Sequence, residues 1–460
     1  MFFERVYDET LAQASYVIGC QSGGVAAVID PKRDIDTYLE IAEKNQLKIT
    51  KVLETHIHAD FLCGSRELAH ATGADIFVSD EGDEDWKYDF SSTKLKDGDT
   101  INLGNLSIEA LHTPGHTPEH LSYKLIDHPA TDAPIMLFTG DYVFVGDVGR
   151  PDLLEQAAGI QGTQEEGAKA LFQSLSVFTS MPDYVQVWPG HGSGSACGKA
   201  LGAVPSSTIG YEKIRNWALQ LLDHEKKFTQ ELLEDQPEPP TYFAKMKQLN
   251  KEQRPVLSEI PEIKHLNQTE WNTLKAEGKM IVDTRKVIKY REKHLKTTIN
   301  IPNNKSLSTW MGWFADYDDV IALVATEDEI KEIARKLMRI GLDHNLSYIT
   351  PDELLKWEKE NLSNYKVIEK SEVKKLMKDE DVQVIDVRGA SEYKENHIDG
   401  AKNIFVGNLE ENIDQIPTHK QLIIHCQTGA RAAIAHSILQ KNGIQNSFNY
   451  AGGMDDWLED

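Results

Sequence analysis

Several things are missing from this 460-residue chain. It has no run approaching the roughly 18–20 consecutive apolar residues of a membrane span. Residues Met1-Phe2-Phe3-Glu4-Arg5 lack a basic segment followed by an apolar stretch, so no export signal is expected. Cysteine is scarce: Cys20, Cys63, Cys197 and Cys426 lie far apart and form neither a disulfide framework nor a C-x-x-C pair. A reducing, cytoplasmic compartment is the simplest expectation, with at least one thiol available for chemistry. Positive charge is also short, with 49 Lys and Arg against 73 Asp and Glu and a net charge of −24, which argues against nucleic acid or an anionic membrane as partner. The length predicts about two to four domains.

What is present begins with Thr55-His56-Ile57-His58-Ala59-Asp60, directly after the β-leaning run Ile49-Thr50-Lys51-Val52-Leu53. Two imidazoles and a carboxylate at a strand end are material for Zn, Fe or Mn. A helix is predicted from Phe61 to His70, ending at Gly73. Upstream, Tyr16–Gly19 and Gly24–Asp30 read as a hairpin, and residues 35–45 as a helix. Downstream, three further strand ends carry polar groups: His116 in Thr113-Pro114-Gly115-His116-Thr117-Pro118-Glu119-His120, Asp141 in Thr139-Gly140-Asp141, and His191 in Pro189-Gly190-His191-Gly192. Pro and Gly force turns there and aim the histidines. His112 and His120 are expected at the surface, and Cys20 and Cys63 in packing roles. The mixture of hairpins and helices predicts an α/β layered domain whose strand-end loops converge on one edge.

In this order and spacing, THIHAD, PGHT, TGD and PGHG resemble the metallo-β-lactamase fold, an αββα sandwich. That resemblance implies a site for two metals, one ligand of the second being a histidine directly after Asp60. Phe61 stands there instead, and a phenyl ring cannot ligate. One branch, the persulfide dioxygenases, is more similar still, through the stretch from Asp141 to Leu153. It implies one Fe(II) per chain, held by His56, His116 and Asp141 with positions left open for O₂ and sulfur. His58, Asp60 and His191 are then expected behind the ligands, fixing tautomers and waters. Arg150 either orients substrate or a loop, or forms a structural salt bridge. Cys197 either stands near the substrate sulfur or is a small buried residue.

Residues 211–228 read as helical, and Gln236-Pro237-Glu238-Pro239-Pro240 breaks the helix. Tyr242, Phe243, Met246 and Leu249 make the segment after Pro240 too apolar for a free tether, so it is expected to pack on the first domain. An internal repeat then begins, at an offset of about 103 residues. Ile281-Val282-Asp283-Thr284-Arg285 matches Val384-Ile385-Asp386-Val387-Arg388, and Ile299-Asn300-Ile301 matches Lys402-Asn403-Ile404. This pattern resembles the rhodanese sulfurtransferase unit, an α/β domain around a parallel sheet. The expected division is 1–260, 261–360 and 361–460.

The last copy places Cys426-Gln427-Thr428-Gly429-Ala430-Arg431 between a strand and a helix, where backbone amides and the helix end stabilise a thiolate or a persulfide. Arg431 closes the loop. Four residues separate Cys426 from Arg431, one fewer than in related phosphatases, so the cradle suits sulfane sulfur better than phosphate. In the middle copy the matching strand, 320–324, runs into Ala325-Thr326-Glu327-Asp328-Glu329, with no thiol. That copy is expected to be inactive. The resemblance as a whole implies a persulfide dioxygenase–sulfurtransferase of sulfide detoxification. Its expected partners are O₂, sulfite and the persulfide of a small thiol such as glutathione or coenzyme A. Assembly of identical chains is expected. The alternative is a zinc thioester hydrolase, like glyoxalase II, with a sulfurtransferase appended.

Overall fold

The computed structural model describes residues 1–153, 163–199 and 201–459. The chain divides into two compact units, one of residues Met1–Ile260 with Met338–Gly341, the other of Pro261–Leu337 with Leu342–Asp460. No helix among the described residues is long and apolar enough to cross a membrane.

The first unit holds two six-stranded sheets. In the first sheet, β1 (Phe2–Asp8), β2 (Gln13–Cys20), β3 (Val25–Ile29), β4 (Lys48–Leu53), β5 (Asp75–Ser79) and β6 (Thr93–Leu95) lie side by side in chain order. β1 to β3 are antiparallel, and β3 to β6 parallel. The second sheet comprises β7 (Thr100–Leu103), β8 (Leu106–His112), β9 (Leu121–Asp127), β10 (Met136–Gly140), β13 (Gln186–Pro189) and β14 (Ser207–Thr208); the small hairpin β11 (Val143–Phe144) and β12 (Asp147–Val148) stands apart.

Strand alternation assigns the two faces. Along β2, Ala14, Tyr16 and Ile18 enter the core shared with Ile108, Tyr123 and Phe138 of the second sheet. Val17 turns outward, into the layer formed with Tyr38, Ile41 and Leu68 of the helices Asp36–Lys44 and Ser65–Thr72. The other outer face packs on Leu171, Leu175 and Phe178 of the helix Thr163–Thr179. The layers run helix, sheet, sheet, helix. Two predicted helices are shorter here. The one predicted from Phe61 begins at Ser65, because Asp60–Gly64 is strapped to the end of the first sheet: Gly64 donates to Pro31 O (2.7 Å), and Cys63 bridges Lys32. The one predicted over 211–228 ends at Arg215, where Asn216 leaves helical geometry and its Nδ2 donates to Asp147 O (2.8 Å). The segment after Pro240 lies within this unit, with Tyr242, Phe243 and Met246 buried.

The second unit contains two five-stranded, all-parallel sheets of the same strand order. The first contains Met280–Asp283 and Ile321–Val324; the second, Val382–Asp386 and Gln421–His425. The helix Ala430–Lys441 is buried from Ala432 to Gln440, because the two copies pack on it from both sides. Its Ser437 hydroxyl accepts from Asn300 N (3.0 Å) of the other copy.

Candidate functional site

His56 lies just past β4, His116 in the β8–β9 turn and Asp141 just past β10. The fold brings one ligand atom from each within 4.8 Å of the others, all three residues buried. His56 Nε2 and both Asp141 carboxylate oxygens have no hydrogen-bond partner. Buried polar atoms are rarely left unpaired, and orphans gathered in one buried cluster fit a metal ion.

Both ring tautomers are set from behind. His116 Nδ1 donates to Arg150 O (2.8 Å), which leaves Nε2 as the free lone pair, 3.5 Å from Asp141 Oδ2. His56 Nδ1 lies 2.9 Å from Thr55 Oγ1. That hydroxyl donates to Asp30 Oδ2 (2.8 Å), so it accepts from His56 and Nε2 again faces inward. Burial holds both imidazoles below their ordinary range, so that each is neutral; for His56 the neighbouring histidines act in the same direction.

The remaining predicted residues fall into two groups. Asp60, His191 and Cys197 offer ligand atoms within 4.8 Å of one another. His191 Nε2 stands 3.2 Å from Asp60 Oδ2 and 3.4 Å from Asp141 Oδ1, while its Nδ1 donates to Ala12 O (3.2 Å). Burial, then the Asp141 and Asp60 carboxylates, push the Cys197 thiol well up. His58 belongs to neither cluster. Its ring lies between His56 and Phe61, at centroid distances of 4.1 and 4.3 Å, and its Nε2 forms an ion pair with Asp30 Oδ1 at 3.1 Å. Burial alone would lower His58, but the Asp30, Asp60 and Asp141 carboxylates overcome it and push the group up to about 9.

Arg150 takes the salt-bridge alternative. Its buried guanidinium donates to both Asp152 oxygens (2.7 and 2.6 Å) and to Ala196 O and Pro237 O. What it contributes to the site is its backbone carbonyl. His120, expected at the surface, is fully buried: Nε2 accepts from Asp141 N (3.1 Å), and Nδ1 lies 2.9 Å from Thr113 Oγ1. It orients the strand end that carries Asp141. Gly140 makes this possible, since at φ 48° an added Cβ would stand 2.6 Å from His120 Nε2.

Asp30, Thr55 and Glu119 escape a reading of motifs. Glu119 accepts from Ile57 N (2.7 Å), and burial pushes its carboxyl up to about 7. Asn250 donates to His58 O (2.8 Å) and Phe61 O (2.7 Å), and Tyr242 to Asp60 O (2.9 Å), so the apolar segment after Pro240 braces the histidine loop.

In the second unit, Asp386 pairs in register with His425, placing Cys426 just beyond the sheet. Cys426 Sγ accepts from Gly429 N (3.1 Å) at the start of the helix Ala430–Lys441. Gly429 has φ 88°, and a Cβ there would meet Ala451 O at 2.5 Å. Arg431 forms a bidentate pair with Glu392 (2.5 and 2.7 Å). In the other copy Asp283 pairs with Val324, so Ala325 occupies the position of Cys426.

Residues 9–191 match the metallo-beta-lactamase superfamily, and residues 369–460 the rhodanese-like domain. A solved metallo-beta-lactamase from Staphylococcus aureus subsp. aureus COL is 42% identical, over 76% of this chain and 99% of that one, with a TM-score of 0.71. The cytoplasmic hydroxyacylglutathione hydrolase of Arabidopsis thaliana is 36% identical over 183 residues, 38% of this chain and 62% of that protein. The structure of ETHE1 from Myxococcus xanthus is 27% identical, covering 49% of this chain and 91% of that one, with a TM-score of 0.39.

Proposed function

The chain belongs to the metallo-β-lactamase superfamily and carries a rhodanese-like domain at residues 369–460, and on that premise we propose that it is a persulfide dioxygenase joined to a sulfurtransferase. The observation that carries the reading is the donor set, two neutral imidazoles and one carboxylate with Phe61 where a further ligand would stand. His56, His116 and Asp141 would hold one Fe(II), for which such a triad is the customary site. Bound there, the iron would supply the redox chemistry that joins O₂ to a sulfur anion.

The chain's own residues do the rest. Thr55 and the Arg150 carbonyl keep both Nε2 atoms unprotonated and aimed. His120 holds Asp141 in place. The net reaction is R–S–SH + O₂ + H₂O → R–SH + SO₃²⁻ + 2H⁺, with R–SH a small thiol such as glutathione or coenzyme A. At residues 361–460, the Cys426 thiolate takes a sulfane sulfur from R–S–S⁻, releasing R–S⁻. The resulting Cys–S–S⁻ passes that sulfur to sulfite, giving thiosulfate and restoring the thiolate. The Gly429 amide stabilises the anion in both forms. Residues 261–360 form an inactive copy within a three-part chain of 1–260, 261–360 and 361–460. Residence in the cytoplasm, assembly of identical chains and a role in sulfide detoxification complete the proposal.

A second reading, a zinc-dependent thioester hydrolase with an appended sulfurtransferase, draws on the Asp60–His191–Cys197 grouping and on the hydroxyacylglutathione hydrolase relative. Phe61 weighs against it, because that chemistry draws on two metals. The test is an oxygen electrode with the anaerobically purified, iron-loaded chain. O₂ uptake on adding glutathione or coenzyme A persulfide is expected, with no cleavage of a glutathione thioester. Thioester cleavage by zinc-loaded chain without O₂ uptake would establish the second reading instead.

A further inference from the structure

The H-x-H pair sets up a competition that sequence alone leaves undecided. His56 and His58 flank one residue at a strand end, and their rings lie 4.1 Å apart, centroid to centroid. With both turned inward beside His116, the donor set would be three imidazoles, the arrangement of a catalytic zinc site. With only His56 turned inward, Asp141 completes a two-His-one-carboxylate set, which suits Fe(II).

We infer that Asp30 makes this choice, presenting His56 to the metal and withholding His58. Its two oxygens do different work. Oδ2 accepts from Thr55 Oγ1 (2.8 Å), and that hydroxyl accepts in turn from His56 Nδ1, which turns Nε2 inward. Oδ1 accepts from Thr55 N (2.8 Å) and stands 3.1 Å from His58 Nε2, an ion pair that draws the His58 ring toward Asp30. Phe61 closes the other face of the His58 ring. Asn250 pins the carbonyls of His58 and Phe61, so the loop cannot roll to bring His58 round. Asp30 is itself held in an unusual backbone state, φ 48°, with its carbonyl accepting from Gln13 Nε2 (2.8 Å). A left-handed aspartate fixed by its surroundings is what a positioning role at a functional site would require. Asp30 lies 26 residues before His56, outside every ligand motif.

This inference rests on the proposal that His56, His116 and Asp141 hold a single iron. The test uses the full-length apo-chain under anaerobic conditions with equal, limiting Fe(II) and Zn(II), and reads the bound ratio by elemental analysis. His58→Ala should keep the wild-type stoichiometry and ratio. Asp30→Asn should shift the ratio toward zinc by about tenfold or more, the scale on which groups behind metal ligands act. The double variant Asp30→Asn/His58→Ala should return to the wild-type ratio, which a merely structural role for Asp30 would not produce. Phe61→Ala frees the other ring face without touching Thr55, and should move the ratio the same way by less. Loss of metal in His58→Ala, or a double variant that keeps the zinc shift, would overturn the inference. These ratios do not depend on turnover: absent O₂ uptake defeats the dioxygenase reading, whereas the metal ratios alone decide the role of Asp30.

Discussion

The two repeated copies of the second unit share a scaffold and differ at one loop. In each, an arginine two residues after an aspartate folds back on it: Arg285 on Asp283 and Arg388 on Asp386. In each, an asparagine side chain donates to the carbonyls of both residues, Asn300 in one copy and Asn403 in the other. In each, a tyrosine stacks on a histidine four residues later, at 4.0 Å for Tyr290–His294 and 4.1 Å for Tyr393–His397. Yet Cys426 sits under a glycine amide in one copy, while Ala325 runs into acidic residues in the other. The repeated residues therefore build the sheet end, and the chemistry depends on a few loop positions that the repeat does not include.

The largest effect is expected from Cys426→Ser. Thiosulfate formation should fall by about a thousandfold or more, as when a covalent nucleophile is removed. Sulfite production should persist. Appreciable thiosulfate from this variant would mean that another thiol carries the sulfur.

Next comes a contrast in stability. The Arg388 side chain is 1% exposed and the Arg285 side chain 13%. Each substitution leaves a fully buried aspartate without its partner; Arg388→Ala should cost about 3–5 kcal/mol, against about 1–3 for Arg285→Ala, because the Arg285 side chain itself lies nearer water, which can reach Asp283 once it is removed. Urea unfolding of the two variants checks this, and equal losses would break the distinction. Glu392→Gln, which loosens the bidentate hold on Arg431, should slow sulfur transfer by about tenfold. The smallest effect is expected from Ala325→Cys, because a thiol added to the middle copy lacks the left-handed glycine and its amide. Its sulfur-transfer rate should stay below about 1% of the last copy's.

The candidate ligands are legible in the sequence because each lies at a strand end, His116 and Asp141 directly after a glycine and His56 within the H-x-H-x-D cluster. The repeat is legible because its matched residues are hydrogen-bonding partners at fixed spacing. The residues that escape depend on distance along the chain. Asp30 reaches His58 from another strand end, and Asn250 braces the same loop from a helix about two hundred residues on. His120 reads as exposed because nothing nearby in sequence announces that its nitrogen will accept the Asp141 amide. The early start predicted for the helix at Phe61 fails for the same reason, since Asp60–Gly64 is strapped to residues 31 and 32 across the sheet.

The most direct measurement is the ratio of O₂ consumed to sulfite formed by anaerobically purified chain of known metal content, supplied with glutathione persulfide. The account predicts one O₂ per sulfite, scaling with bound iron and abolished by His116→Ala. Sulfite formed without O₂ consumption, or activity that follows zinc rather than iron, would contradict it.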